Sequence, residues 1–358
     1  MTNNNIITKL GEFSKEKFTA LLLIRSAALS ALRETLKAEG YLEVTTASLV
    51  NIAGSCENPL ASFTLNYYGR EAHLSQSSQL QLEAIVLRLK KSVFTVNTSF
   101  REEHYNDQEA QGRRLSEFTL VEAEQPYPGL SPEQALEQIM ATEERVIKQV
   151  VGQVLRQHRE EIILLGGKVE ALENIQQKPF ARLSYDQAIM ILNQQGGAYQ
   201  WGDDLGIQEE RKILAQYHDY PTFLIHHPTK IKFFNMKRSK DGKYAYSIDL
   251  LMSPLGETSG GAVREQDGQK ISEYLLKSKI AQYLLSRGTD PLKEFEEYFN
   301  LFKEEEPLLR GGFGIGFERL IACLINSSDI LATIAYHTMQ PNMPTSASEN
   351  IQDSHFEY

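Results

Sequence analysis

The 358 residues carry 37 Lys and Arg against 47 Asp and Glu, a formal net charge of −10, with 41% hydrophobic and 23% charged residues. This is the composition of a globular chain with room for a sizeable core, and it opposes a broad, sequence-independent grip on nucleic acid, which draws on many Lys and Arg contacts to phosphate. No run approaches the ~20 apolar residues of a membrane span, the N-terminus lacks the apolar stretch of a secretory signal, and the two cysteines, Cys56 and Cys323, form neither a disulfide framework nor a zinc spacing, so the sequence predicts a cytoplasmic protein without membrane contact.

From Phe18 to Gly40 apolar residues recur at helical spacing, with Arg25, Arg33, Glu34 and Lys37 on the other face. The pattern predicts a helix stopped by Gly40, then a strand over 41–46. Residues 51–59 carry the turn formers of a loop. FTLNYYG and EAHLSQ read as a hairpin about Gly69 and Arg70, and SQLQLEAIVLRLKK as a helix. VFTVNTSFREE and EFTLVEAEQPY alternate as two strands joined by the long polar loop HYNDQEAQGRR. Ser131-Pro132-Glu133-Gln134 sets a Ser N-cap, a proline in the first turn and a Gln three residues after the cap. It starts a helix running towards residue 164 and ended by Gly166-Gly167. Residues 180–230 hold short helices, strands return at TFLIHH, KFFNM and YAYSIDLL, and a last helix begins within GFERLIACLI. Helices interleaved with antiparallel-looking strands, without regular βαβ alternation, predict an α+β domain: a large antiparallel sheet flanked by helices.

No Gly-x-x-x-x-Gly-Lys-Ser/Thr loop is present, so any ATP binding works without a P-loop. Arg101 and Glu103 stand two apart, as do Glu122 and Glu124 after Glu117, which places each pair on one face of its strand. A solvated face is one account, but the apolar neighbours predict a covered sheet, where charges must be paired or bound to ligands. Asp249 and Glu257, ahead of Gly260-Gly261 and Arg264, suit Mg²⁺ carrying a polyphosphate, although spacing alone favours a turn-capping Asp and a surface Glu. Of His226 and His227, adjacent in a strand pattern, at most one lines a site. The run GGFGIGFERL, residues 311–320, taken alone signifies close packing.

Taken together, from about Arg25 to about Ile334, these segments resemble the three signature motifs of class II aminoacyl-tRNA synthetases, most closely the asparaginyl/aspartyl subgroup. RSAALSALRETLKAEGYLEVTTASL resembles motif 1, with Ala47 where a proline is expected; SFREE and GRRLSEFTLVEAE resemble the two strands of motif 2, and GFGIGFERL resembles motif 3. The resemblance implies a class II catalytic domain over residues 18–340 with a helical insertion at about 131–180, flanked by an N-terminal extension, 1–17, and a polar tail, 341–358. It further implies a homodimer built through motif 1 and ATP- and Mg²⁺-dependent activation of asparagine or aspartate as an aminoacyl-adenylate.

Carried onto this sequence, the family's roles make Arg101 the cation between the amino-acid carboxylate and the α-phosphate, with Arg319 as a second catalytic cation. Glu103 would face the adenine amino group and Phe118 would stack on the base, while Arg113, Arg114, Glu257, Gly316 and Arg319 complete the ATP site. Asp249 and Glu257 match the Mg²⁺ ligands. Ser55-Cys56-Glu57 resembles a loop whose Glu holds the substrate α-ammonium, which assigns that role to Glu57, with Gln79 as a second contact. Aspartyl enzymes place a Lys where Leu82 stands; here Glu83 follows, as in asparaginyl enzymes. Glu83 is expected to accept an amide N–H and repel a carboxylate, and Arg264 to donate to the side-chain carbonyl, which favours asparagine.

Synthetases of this subgroup carry an N-terminal β-barrel that reads the anticodon. Here motif 1 falls within the first few dozen residues, and Ala335-Tyr336-His337-Thr338 replaces a closing Pro-Phe-Pro-Arg-like segment. An acceptor other than a standard tRNA is therefore expected. The alternatives are an ammonia-dependent asparagine synthetase acting on aspartate, an asparaginyl-tRNA ligase, and a non-catalytic protein that senses an amino acid.

Overall fold

The computed structural model describes residues 8–11, 13–51, 61–102 and 113–338. The first helix, α1 (Lys15–Ala38), starts where the Ser14 hydroxyl accepts the Lys17 N–H, and the chain leaves it through Gly40 at φ 87°, a left-handed turn that costs glycine little. Strands β1 (Thr8–Leu10), β2 (Leu42–Glu43) and β3 (Leu49–Val50) are short. The hairpin of β4 (Thr64–Tyr67) and β5 (Arg70–Leu74) pairs Tyr67 with Arg70, so its turn is Tyr68-Gly69, both at positive φ, one residue earlier than the sequence suggested.

After α2 (Gln79–Leu89), β6 (Val93–Phe100) and β7 (Glu117–Pro126) form the expected antiparallel pair. The joining residues 103–112 lie outside the described ones. Ser131 closes a full capping box with Gln134 at the start of α3 (Pro132–Gln157). The single helix expected to residue 164 is instead broken at His158, which leaves helical dihedrals, and α4 (Arg159–Leu165) then brings Ile162 into the core before Gly166 ends it at φ 98°. Next come α5 (Val169–Gln177), β8 (Ala181–Ser184), α6 (Tyr185–Gln194), α7 (Ile207–Gln216), β9 (Thr222–Ile225), β10 (Ser247–Met252) and β11 (Gly256–Arg264). The helices α8 (Gly268–Leu276), α9 (Lys279–Ser286), α10 (Pro291–Glu294) and α11 (Glu296–Glu304) precede β12 (Arg310–Gly316), α12 (Phe317–Ile325) and β13 (Tyr336–Thr338).

The expected strand at KFFNM does not form. Phe233 and Phe234 pack into the same hydrophobic cluster with ring centroids 4.5 Å apart, whereas strand geometry would send adjacent side chains to opposite faces. Only Met236 makes a bridge, to Arg264.

Eight strands form the main sheet in the order β2-β6-β7-β12-β11-β10-β9-β8. The interior pairs are antiparallel, and the edge strands β2 and β8 run parallel to their neighbours. One face is apolar: Val121, Ala123, Ile248, Leu250, Val263, Phe313 and Ile315 join Leu21, Ile24 and Leu32 of α1 and Ile139, Val146 and Val150 of α3 in one core. Each such buried aliphatic side chain contributes roughly 1.5–3 kcal/mol relative to exposure. A second core, holding Leu80, Leu87, Phe234, Leu275, Leu284, Phe295, Tyr298 and Leu301, fastens α8, α9 and α11 against α2.

Candidate active site

The opposite face of the sheet carries the charges. Directly paired residues share a face, so the cross-strand row Thr95, Glu122, Gly314, Gly260, Asp249 lies on one surface, and the row Val93, Glu124, Gly312, Ala262, Ser247 runs beside it. Two glycines in these rows are spacers. A Cβ on Gly312 would lie 2.4 Å from Glu124 Oε2 and 1.9 Å from the Ala123 carbonyl, and one on Gly260 would lie 3.4 Å from Glu257 Oε1 and 3.6 Å from Asp249 Oδ1. The glycine run thus forms a floor on which carboxylates lie flat.

At one end of the floor stands a chain of alternating charges. Arg264 meets Glu124 in a two-point contact, Nε to Oε1 at 3.2 Å and Nη2 to Oε2 at 3.1 Å. Arg264 and Arg310 face each other across β11 and β12, a repulsive pairing unless anions flank it. Glu83 supplies one: its Oε2 accepts from Arg310 Nε at 3.0 Å, Arg310 Nη2 at 2.5 Å and the Tyr298 hydroxyl at 3.0 Å. Its Oε1 accepts from Asn235 Nδ2 at 2.5 Å and Gln79 Nε2 at 3.2 Å, with Arg264 Nε 3.9 Å away. Glu83, Arg310 and Asn235 are fully buried, and Arg264 and Glu124 nearly so. Burial outweighs the nearby Arg264 and pushes the Glu124 carboxyl up to about 7. Glu122, on the same face, receives the Ser78 N–H at 2.8 Å and the Ser77 hydroxyl at 2.5 Å, which ties the start of α2 to the sheet.

The other end is more open. A bulge matters here: Leu250 pairs with Ser259 but Leu251 with Glu257, so Thr258 is the extra residue. That shift brings Glu257 onto the face of Gly260 and Asp249. Asp249 is gripped by Lys232, whose Nζ lies 2.9 and 2.8 Å from its two oxygens, and His227 Nε2 stands 2.9 Å from Oδ2. Burial opposes ionisation of Asp249, but these neighbours outweigh it and hold the carboxyl well below its usual range. Burial also lowers His227, while His226 faces away and stacks on Tyr244 at 4.4 Å. Arg319, in the first turn of α12, donates to the Glu257 carbonyl and lies 3.8 Å from Glu257 Oε2. Glu210 of α7 accepts the Glu257 N–H at 2.9 Å, and burial with the nearby Glu257 charge pushes it up to about 7. Arg113 is lowered by burial and by the proximity of Arg319, with Arg114 adding to the effect, so cations converge beside a half-exposed carboxylate. Arg101 reaches over the Phe118 ring at 5.8 Å.

Residues 7–340 match the family of class II tRNA synthetases of the D, K and N type. The asparagine–tRNA ligase of Pyrococcus furiosus is 35% identical over 316 residues, which cover 88% of this chain and 67% of that protein. Asparaginyl-tRNA synthetase from Pyrococcus horikoshii, solved with asparaginyl-adenylate, superposes with a TM-score of 0.79 at 33% identity over 92% of this chain and 70% of that one. The enzyme from Entamoeba histolytica, also solved with asparaginyl-adenylate, gives 0.74 at 25% identity over 91% of this chain and 69% of that one.

The chain belongs to the class II tRNA synthetase family.

It is accordingly an ATP-dependent ligase with the class II catalytic fold expected from its motifs. Within this synthetase fold, Arg101, Phe118, Arg319, Gly316, Asp249, Glu257, Gln79 and Arg264 come to one face of one sheet and its borders. Glu57 and Glu103 lie outside the described residues.

Glu83 takes a different place from the one expected. Five donors of the chain fill both its oxygens, so it holds other side chains and has no open lone pair for a substrate amide. Glu124, Glu210, Lys232, Asn235 and Arg310 join this network from outside the expected set. Glu124 was noted as a charge needing a partner but given no role, although its even spacing from Glu122 was the signal. Glu210 sits in a polar helix and carried no signal.

The donor set fits Mg²⁺. Asp249 and Glu257 both close on Gly260, and this ion needs only one or two protein carboxylates when substrate phosphates and water supply the rest. Lys232 already grips Asp249, which leaves Glu257, with a side chain 44% exposed, as the more accessible ligand.

Proposed function

We propose that the chain activates asparagine with ATP, forming asparaginyl-adenylate and pyrophosphate, and transfers the asparaginyl group to an acceptor other than a standard tRNA. The observation that carries the substrate is the Glu124–Arg264 pair, beside the Glu83–Arg310 pair. Two buried cations against two buried anions form a balanced site. A neutral carboxamide enters it without adding charge, taking a donor from Arg264 and offering N–H groups to Glu124. An aspartate carboxylate would bring an unpaired charge into a buried setting, at a cost of several kcal/mol.

In the reaction, an oxygen of the substrate α-carboxylate attacks the α-phosphorus, the bond from that phosphorus to the bridging oxygen breaks, and pyrophosphate leaves with the bond's electron pair. Arg101 offsets charge at the reacting phosphate, and Arg113, Arg114 and Arg319 offset charge on the leaving group. Asp249 and Glu257 would hold Mg²⁺, which would supply positive charge against the polyphosphate. Phe118 stacks on the adenine, and Glu57 and Gln79 hold the α-ammonium.

Exposed Leu22 and Leu23 on α1 and Leu42 on β2 support a homodimer built on that face. The net charge of −10 and the acid-bearing segment HYNDQEAQG between the motif 2 strands favour a non-tRNA acceptor. Amino-acid-dependent ATP–pyrophosphate exchange, run over the twenty amino acids, tests the proposal. Exchange with asparagine alone is expected; exchange with aspartate alone, accompanied by ammonia-dependent asparagine formation, would replace it with a synthetase acting on aspartate.

A further inference from the structure

Asn235 bonds the Glu83 oxygen that Arg264 also approaches, and its chemistry is only half used. The residue is fully buried. Its Nδ2 donates to Glu83 Oε1 at 2.5 Å, the same oxygen that Arg264 Nε approaches at 3.9 Å. Because a carboxylate only accepts, the amide orientation is fixed: nitrogen towards Glu83, oxygen away from it. That oxygen, Oδ1, accepts from no described residue.

The backbone leaves Asn235 little freedom. Its carbonyl takes the Glu265 N–H at 2.8 Å, the Lys237 N–H reaches the Val263 carbonyl at 2.8 Å, and Met236 bridges to Arg264. The following segment is thus stapled to the end of β11, and the carboxamide is held beside Arg264. A buried acceptor without a donor costs roughly 1–3 kcal/mol, which a folded chain normally avoids.

Resting on the reading that asparagine is the substrate, we propose that Asn235 determines specificity by reading the second hydrogen of the substrate's side-chain amide. A primary amide has two N–H donors and one carbonyl. Arg264 answers the carbonyl, Glu124 accepts one N–H, and Asn235 Oδ1 accepts the other. Glu83 takes no part in contacting substrate; clamped by Arg310 and Tyr298, it orients Asn235 so that its oxygen faces the ligand. An aspartate side chain would present an oxygen to Asn235 Oδ1, so this residue adds to rejection of the acid without adding charge.

The test compares asparagine with its methyl-ketone isostere, 2-amino-4-oxopentanoate, which keeps the carbonyl and the shape but has no amide N–H. Pyrophosphate exchange is measured with both in the wild-type chain and in Asn235→Ala. The expected result is a rise in the KM for asparagine of roughly ten- to a hundredfold, with the KM for the ketone and for ATP unchanged. A merely structural role would raise the asparagine and ketone values together, and that result overturns the inference, as does an unchanged KM for asparagine. If Asn235→Ala fails to fold, Asn235→Leu, close to Asn in volume, carries the same comparison. Wild-type protein that shows no asparagine-dependent exchange overturns the substrate reading and this inference together, whereas wild-type exchange with equal sensitivity of both compounds overturns the inference alone.

Discussion

The two ends of the glycine floor solve different problems with the same residue types. At the end proposed to take the amino acid, Glu83, Glu124, Arg264 and Arg310 are all buried and each charge has a partner of opposite sign. At the end proposed to take the triphosphate, Arg113 and Arg319 converge and Glu257 is half-exposed. A desolvated, charge-balanced site discriminates, because any ligand of the wrong charge leaves a buried group unpaired. An open site with surplus cations binds a polyanion whose charge changes during the reaction, and it tolerates water and a metal ion. On the proposed function, selection and chemistry are separated by a few residues along the same strands.

The largest expected effect comes from breaking the balance at the amino-acid end. Arg310→Met leaves the buried Glu83 with no cation nearer than Arg264, although its bonds from Tyr298, Asn235 and Gln79 remain, and the loss should be about 3–5 kcal/mol of stability in urea denaturation. Replacing both partners, Glu83→Gln with Arg310→Met, should recover most of it. A single-variant loss below about 1 kcal/mol would mean that the pair is better solvated than its burial implies.

A comparable effect, spread over several pH units, is expected from the buried Glu143. Glu143 of α3 is fully buried, neither of its oxygens accepts a hydrogen bond of good geometry from any described residue, and burial pushes it up to about 8. The folded chain therefore keeps a proton that the unfolded chain, at the ordinary value of 4.5, has released. Stability must then fall as pH rises between those two values, by about 1.4 kcal/mol per pH unit from this group. Glu143→Gln removes that contribution, so the variant should gain on the wild type steadily from pH 5 to pH 8 in thermal or urea midpoints. Parallel curves would show that Glu143 ionises freely. The smallest effect belongs to a site remote from both ends: Ser131→Ala, which removes the capping box of α3, should cost about 1 kcal/mol and leave exchange kinetics unchanged.

Much of this arrangement was legible in the sequence, and what was not has a common cause. The Ser131 cap, the Gly40 and Gly166 stops and the paired spacing of Glu122 and Glu124 depend on neighbours a few residues away, and local chemistry dictates them. The motif resemblance added the family and singled out Arg101, Asp249, Arg264 and Arg319, which share one face of the sheet and its borders. Glu83 departs from its expected place because its partners Asn235, Tyr298 and Arg310 lie 152, 215 and 227 residues away, beyond any local pattern. Glu257 reaches the site face only through the bulge at Thr258, which the residue spacing does not announce. The aromatic pair Phe233-Phe234 looked like a strand because composition favours one, but its packing into one cluster overrides that preference.

The charge balance at the amino-acid end is tested most directly by the ratio of kcat/KM for asparagine to that for aspartate in pyrophosphate exchange, measured with wild-type protein at pH 8 and at pH 6. At pH 8 Glu124, pushed up to about 7, is ionised and the site is balanced, so asparagine should be favoured by about a hundredfold or more. Because burial raises the Glu124 carboxyl, lowering the pH to 6 protonates it further, Arg264 keeps only the more distant Glu83 as counter-charge, and the preference should narrow. A ratio near one at pH 8, or a preference for aspartate that is independent of pH, would contradict the account.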